Sequence, residues 1–226
     1  MSDLAENIQQ IQKKIKVSAE KKGKTLQDIT IVAVSKTFNA DLVNHAIANG
    51  IEHVGENRVQ EARDKFPLIR GPVTKHMVGH LQRNKVKYAV ELFDMIQSVD
   101  SIELADEINK RTKKRIPVLI EVNTSGEESK YGCRPEKAID LLINVTAYNS
   151  LIVKGFMTIA IFSSDPEKVR PCFKMLKEIF DEAKSMGLPN ADITTLSMGM
   201  SSDFEVAIEE GANMVRIGTA IFGERT

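Results

Sequence analysis

The residue of this sequence with the clearest chemical potential is a lysine at the end of an apolar run. Lys36 follows residues 31–34, Ile-Val-Ala-Val, a run with the length and composition of a buried strand. In an α/β barrel, the point where a strand meets its loop lies on the functional rim. Partial burial there favours the neutral amine, which attacks carbonyl carbons. The position predicts a lysine that reacts with an aldehyde such as pyridoxal 5′-phosphate (PLP). The alternative is that Lys36 extends to water and binds nothing.

Polar or small residues end the other apolar runs as well. These runs are followed or closed by Glu56 and Asn57, Gly79 and His80, Gln97 and Ser98, Glu121 and Asn123, Met157 and Thr158, Ser197 and Met198, and Arg216 and Gly218. One such residue means little. A polar residue at the end of every strand indicates a site, because the ends of parallel strands meet at one rim.

Two of these segments suit a phosphate group. The first, residues 197–202, precedes a helix that is expected to begin near Asp203, and Ser201 or Ser202 could cap that helix. Gly199 would let the backbone approach a ligand closely. The second contains Gly218 and Thr219 and adds N–H donors and a hydroxyl. Barrels often bind phosphate between their last two units, although an ordinary capped loop and an ordinary turn remain the alternative.

Further candidates lie on the same rim. Arg216, flanked by apolar residues, could donate to a ligand acceptor such as a pyridine nitrogen, or it could pair with Glu121 or Glu56. His80 could act as an acid or base, or it could cap the following helix. We expect Asn57 and Asn123 to be hydrogen-bonding rim residues, and Met157, Met198 and Met200 to line a pocket.

The order of apolar runs and helical stretches predicts a (β/α)8 barrel with an additional N-terminal helix. The helix is expected over residues 3–22, and seven further helices should alternate with the strands. Alternation of this kind indicates a parallel sheet, and eight strand–helix units suggest that the sheet closes into a barrel. An open doubly wound sheet is the alternative. Such a sheet usually carries a glycine cluster after its first strand, and this sequence has none there. The predicted strands are 29–35, 53–55, 76–79, 95–99, 118–122, 153–158, 193–196 and 214–217. The predicted helices between them are 40–49, 57–65, 81–90, 101–114, 135–148, 165–186 and 203–210.

Composition narrows the possible functions. The 226 residues contain 31 Lys+Arg and 31 Asp+Glu, so the formal net charge is zero and nothing indicates a nucleic-acid or membrane surface. Two cysteines without a Cys-x-x-Cys motif argue against a disulfide framework or a metal site and favour a reducing compartment. The sequence shows no signal peptide and no apolar run long enough for a membrane span, so a cytoplasmic location is expected. No linker divides the chain, and residues 1–226 are predicted to form one domain.

Taken in order along the chain, these segments resemble the PLP homeostasis proteins of the YggS/PROSC type. The resemblance covers residues 33–36, 55–61, 76–85, 123–132, 155–158, 196–201 and 215–223, and so extends over nearly the whole chain. It implies the barrel of the alanine racemase N-terminal domain without the second domain of the racemases. It also implies a PLP-binding protein of vitamin B6 homeostasis, in which Lys36 holds PLP as a Schiff base.

The resemblance gives each candidate residue a role in binding the cofactor. Ser201, Gly218 and Thr219 would hold the phosphate and Arg216 would face the pyridine nitrogen, which disfavours carbanion chemistry. The implied set of cofactor-binding residues is Lys36, Asn57, His80, Asn123, Met157, Ser197, Met200, Ser201, Arg216, Gly218 and Thr219, with no catalytic residue and no metal.

Three functions follow from these observations. The first is a monomeric PLP carrier that buffers the cofactor or delivers it, transiently contacting apo-enzymes that need PLP. The second is a PLP-dependent amino-acid racemase or weak lyase, for which Tyr131 would be the candidate second acid/base. The third is a barrel that binds another phosphate compound and no PLP.

Overall fold

The structure is a computed structural model that describes residues 4–163 and 165–224. Its eight strands form one closed parallel barrel in the order β1 to β8, with β8 paired to β1 through Val32 and Arg216. The strands are β1 Thr30–Val34, β2 His53–Glu56, β3 Thr74–Met77, β4 Met95–Val99, β5 Ile116–Glu121, β6 Leu151–Met157, β7 Ala191–Ser197 and β8 Met214–Ile217. The predicted (β/α)8 barrel is confirmed, and each predicted strand overlaps an observed one.

Helices cover the outside of the barrel. They are α1 Leu4–Glu20, α2 Ala40–Ala48, α3 Val59–Lys65, α4 Val86–Leu92, α5 Ile102–Arg111, α6 Ala138–Thr146, α7 Pro166–Ser185, α8 Phe204–Glu209 and α9 Thr219–Phe222. The predicted N-terminal helix is present, although its first predicted residue, Asp3, lies outside the described residues. Its apolar stripe, Leu4, Ile8, Ile11, Ile15 and Ala19, is buried, and α1 packs against α2, α8 and α9.

Helix α6 begins at Ala138, after a 3-10 turn over Pro135–Lys137, and α3 and α4 also begin two or more residues later than the sequence predicts. Helix α3 starts at Val59 because Arg58 has an extended backbone. Helix α4 starts at Val86, since Gln82 is extended and residues 83–85 form one 3-10 turn. Both differences lengthen the loop that follows a strand. The longer loops give residues such as Asn57 and His80 to the rim rather than to a helix.

The barrel interior is only partly apolar. Val32, Val34, Val78 and Met214 form a small buried cluster of their own, separate from the large core between strands and helices. Gly155 in β6 has φ 143°, and a Cβ there would lie 1.9 Å from the carbonyl oxygen of Thr195. Only glycine lets β6 and β7 approach this closely, at a point where their register shifts.

Two features concern the described chain as a whole. In residues 4–163 and 165–224, no helix combines the length and apolar character that crossing a membrane requires. The same residues contain no group of three or more His, Cys, Asp or Glu side chains placed to hold a metal ion.

Candidate functional site

A cavity of about 610 Å³ opens at the C-terminal ends of the strands. Its volume is in the range usual for small-molecule sites. It brings together eight of the residues singled out from the sequence, namely Lys36, Asn57, His80, Met200, Ser201, Arg216, Gly218 and Thr219. Residues from at least five strand ends therefore converge on one cavity, as the sequence predicts for this rim.

The half-buried Lys36 is fixed through the backbone on both of its sides. Before it, the Ser35 hydroxyl donates to Glu56 Oε1 (2.6 Å), and the Ser35 carbonyl accepts from Lys65 Nζ (2.7 Å). After it, the Thr37 N–H donates to Glu61, and Thr37 has φ 71°, a left-handed backbone uncommon outside glycine. The helix α3 residues Glu61 and Lys65 thus hold the turn that presents Lys36 to the cavity.

The support beneath this turn is a buried ion pair. Glu56 is fully buried and Lys65 is 7% exposed, and Lys65 Nζ contacts both Glu56 Oε1 and Glu61 Oε1. Burial raises the pKa of the Glu56 carboxyl, and the bonds from Lys65 and Ser35 offset part of that rise. The sequence offers Glu56 as one alternative ion-pair partner of Arg216. That was wrong, because Glu56 ends β2 on the side that faces α3.

Arg216 is held by neutral groups. Its Nη1 donates to Ser197 Oγ (2.8 Å) and its Nη2 donates to the Thr158 carbonyl (2.7 Å). The alternative ion pair with Glu121 is also wrong: within the described part of the chain, no carboxylate lies within 4.0 Å of the Arg216 guanidinium. Burial lowers the pKa of Arg216 to about 10, so the side chain stays charged at neutral pH.

A hydrogen-bonded chain across the barrel fixes the position of this guanidinium. Ser197 Oγ donates to Gln97 Oε1 (2.7 Å), which crosses the barrel because β4 and β7 are not neighbours. Gln97 Nε2 then donates to His76 Nδ1 (2.9 Å), and His76 Nε2 donates to His53 Nδ1 (3.0 Å). In this chain each group donates in the direction that leads from Arg216 to His53, so Nδ1 of His76 and Nδ1 of His53 both accept a hydrogen bond. An imidazole that accepts at one ring nitrogen is neutral, and both histidines must therefore be neutral. Burial lowers the pKa of both histidines, that of His76 to about 3, in agreement with this assignment.

The corner of the cavity near the last two strands is rich in donors. In the described structure, the backbone N–H groups of Ser201, Ser202 and Thr219 make no hydrogen bond, and all three residues line the cavity. Ser201 Oγ accepts from the N–H groups of Gly218 (3.2 Å) and Ala220 (3.3 Å) and ties the two segments together. Neither serine caps α8, because Asp203 holds the cap position and accepts from the Met200 N–H. The corner is suited to an anion through its free N–H groups.

Three of the predicted residues lie outside the cavity lining. Ser197 is fully buried and has its hydroxyl committed to Arg216 and Gln97, so it supports the site from beneath. Asn123 folds the loop after β5, donating to the carbonyls of Glu127 and Lys130 and accepting from the Ser125 hydroxyl. Met157 is fully buried below the rim.

The wall opposite the donor corner is formed by His80 and the loop after β5. His80 does not cap a helix: its ring stacks on Tyr131 with centroids 3.7 Å apart, and its Nδ1 lies 3.6 Å from Asp100 Oδ2. Lys130 donates to the Ala160 carbonyl (2.7 Å) and pairs with Glu127 (3.0 Å). The sequence-derived set omitted Glu121, Ser129, Lys130 and Tyr131 from the lining, along with the aromatic rings of Phe38 and Phe162. For Glu121 a signal existed, since an acid closes the buried run of β5.

Comparisons with known proteins agree with this geometry. The family model described as "Alanine racemase, N-terminal domain" matches residues 1–226. A "Pyridoxal phosphate homeostasis protein" of Aquifex aeolicus (strain VF5) is 40% identical and covers 97% of both chains. A protein of the same name from Homo sapiens is 42% identical over 86% of this chain and 76% of its own. The solved structure of PipY from Synechococcus elongatus PCC7942, with PLP bound, has a TM-score of 0.83 at 30% identity and covers 98% of this chain and 100% of its own.

Proposed function

The chain belongs to the pyridoxal phosphate homeostasis proteins, within the family of the alanine racemase N-terminal domain, and on this premise we propose that it binds PLP on Lys36 and buffers or delivers it. One observation carries the proposal: a single cavity contains a lysine, a fixed arginine and a donor-rich corner. When bound, PLP supplies an aldehyde that condenses with a lysine amine and a ring that accepts electrons.

The residues present fit this group. The free N–H groups of Ser201, Ser202 and Thr219 and the hydroxyl of Thr219 would hold the phosphate. Lys36 would supply the amine, held in place by the backbone bonds of Ser35 and Thr37. Arg216 would donate to the ring nitrogen, and the chain through Ser197 and Gln97 keeps its guanidinium oriented.

The phosphate contacts lead to a test of ligand identity. We expect the protein to bind PLP at least about 100-fold more tightly than pyridoxal, which lacks the phosphate, because charge-assisted hydrogen bonds contribute about 1.5–3 kcal/mol each. The matched variant Thr219→Val keeps the side-chain shape and loses the hydroxyl. It should weaken PLP about tenfold and leave pyridoxal binding unchanged in fluorescence titrations. Equal affinities for PLP and pyridoxal would contradict the proposal and favour a site for some other compound.

We propose further that the protein does not turn over amino acids. A charged arginine at the ring nitrogen keeps that nitrogen unprotonated and weakens the ring as an electron sink. The tyrosine in the cavity lining, Tyr131, stacks flat on His80 instead of standing alone as an acid/base group. The two free cysteines, of which Cys172 is buried, suit action in the cytoplasm, and we propose a monomer there.

Incubation with amino acids tests the absence of turnover. Holoprotein mixed with L-alanine or L-serine is expected to form D-isomer no faster than free PLP does, as measured by chiral chromatography. Formation with a kcat of about 1 s⁻¹ or more, the low end of ordinary enzymes, would establish the racemase alternative instead.

A further inference from the structure

Glu121 is a buried acid in the cavity lining to which the proposed binding role gives no task. It ends β5, is 3% exposed and shares the cavity with Lys36 and Arg216. Within the described residues its Oε2 atom has no hydrogen-bond partner. A buried polar atom of this kind is costly, and natural structures rarely keep one without a use.

The surroundings of Glu121 do not compensate a negative charge. Arg216, the cation across the cavity, donates to Ser197 and to the Thr158 carbonyl and makes no ion pair with Glu121. Burial and, second, the charge of Asp100 raise the pKa of Glu121 to about 7, and Arg216 offsets part of this rise. The titratable and charged groups that face Glu121 or share its cavity are Asp100 after β4, Cys133 after β5, Arg216 on β8, and Lys36, His80, Lys130 and Tyr131.

An anionic ligand changes the balance between the ionised and the protonated form of the Glu121 carboxyl. PLP carries a phosphate dianion, and an ionised carboxylate in the same low-dielectric cavity would repel it. A neutral carboxylic acid removes the repulsion and offers an O–H donor through the oxygen that has no partner. The proton comes from solvent, so that one proton is taken up for each Glu121 ionised in the free protein.

We propose that Glu121 is a specificity-determining acid of the cavity that is protonated when PLP is bound, so that PLP binding is coupled to proton uptake. This inference rests on the proposed function, because PLP is the ligand. It makes the protein a carrier that binds PLP more tightly as pH falls and releases it as pH rises. Phosphate ligands that arrive with fewer negative charges would be less sensitive to pH.

The test compares PLP affinity at pH 6 and pH 8 in wild type and Glu121→Gln. With a pKa of about 7 in the free protein, Glu121 is about one tenth ionised at pH 6 and about nine tenths ionised at pH 8. Protons that PLP itself exchanges with solvent are common to both proteins, so the ratio of their affinities isolates the contribution of Glu121. The ratio of wild-type to Glu121→Gln affinity is therefore expected to fall about tenfold from pH 6 to pH 8.

A second variant and a second method guard against a merely structural effect. Asp100→Asn leaves Glu121 buried but removes the second, smaller contribution that raises its pKa, and should move the fall in affinity to lower pH. Calorimetry of wild type and Asp100→Asn at pH 7, in two buffers of different ionisation enthalpy, should show a larger proton uptake in Asp100→Asn, because its Glu121 is more fully ionised before PLP binds. The protons that PLP itself exchanges are common to both proteins and cancel in this difference. This second measurement remains decisive if Glu121→Gln does not fold.

The outcomes separate this inference from the proposed function. The role of Glu121 would be overturned, and PLP binding left intact, by a ratio of wild-type to Glu121→Gln affinity that is constant from pH 6 to pH 8. A ratio that rises with pH, which would mean that ionised Glu121 favours PLP, would have the same consequence. Failure of wild type to bind PLP at pH 6 would overturn both.

Discussion

Replacing Lys36 with alanine is expected to abolish covalent PLP binding completely. The variant should lose the visible absorbance band of lysine-bound PLP and show the spectrum of the free aldehyde. The reason is that the other residues proposed to bind PLP would do so through hydrogen bonds and not through a covalent bond. Binding through the donor corner should persist, weakened at least about tenfold, or ~1.4 kcal/mol. Absorbance titration and borohydride treatment measure both effects.

A second lysine in the cavity provides the matched control. Lys130 also lines the cavity, but its amine is engaged by the Ala160 carbonyl and by Glu127. Lys130→Ala should therefore keep the absorbance band. If the band survives in Lys36→Ala and disappears in Lys130→Ala, the assignment of the reactive lysine is wrong.

Replacing Lys65 with methionine should produce the largest loss of stability. Glu56 is fully buried, its Oε2 already has no hydrogen-bond partner among the described residues, and Lys65 is the cation that compensates its charge. Removing one partner of a buried ion pair leaves an uncompensated charge and costs about 3–5 kcal/mol. The free energy of unfolding from urea titration should fall by this amount, and PLP affinity should fall with it because Lys65 also holds the Ser35 carbonyl.

Two further variants separate the buried charge from the loss of packing. The double variant Glu56→Gln/Lys65→Met removes both charges and should recover much of the lost stability. Lys110 pairs with Asp106 at i, i+4 spacing, as Lys65 does with Glu61, but on an exposed helix face, and Lys110→Met should leave stability close to wild type. Equal losses in Lys65→Met and in the double variant would show that the buried charge is not the cause.

The barrel could be predicted from local patterns alone. Strands β4 and β8 have the bounds predicted from the sequence, because apolar residues begin and end both segments. The polar residues inside them, Gln97, Ser98 and Arg216, are buried as well. Closure of the sheet into a barrel could be predicted from the number of strand–helix units, which is eight. The cavity residues at strand ends, such as Lys36 and Arg216, could likewise be found by position, since the fold brings all strand ends to one rim.

Other features depend on contacts that no local pattern records. Ser197 lies at a strand end, but its hydroxyl donates a hydrogen bond to Gln97, which is one hundred residues away in sequence. Asn123 is predicted to be a hydrogen-bonding rim residue, but its amide donates to the Glu127 carbonyl within its own loop. Asn side chains commonly bond to the backbone of the turn that contains them. Lys65 reads as the last residue of an amphipathic helix, and only the packing of α3 on β1 and β2 buries its amine beneath Lys36.

Locating the lysine that carries PLP is the most direct test of the proposed binding site. The holoprotein would be reduced with borohydride, digested and analysed by mass spectrometry, with the phosphate-free aldehyde pyridoxal as a parallel sample. We expect one pyridoxyl-phosphate group per chain on Lys36, and much less labelling with pyridoxal at the same concentration. Labelling spread over surface lysines, or absent from Lys36, would contradict the claim that this cavity binds PLP through its strand-end lysine.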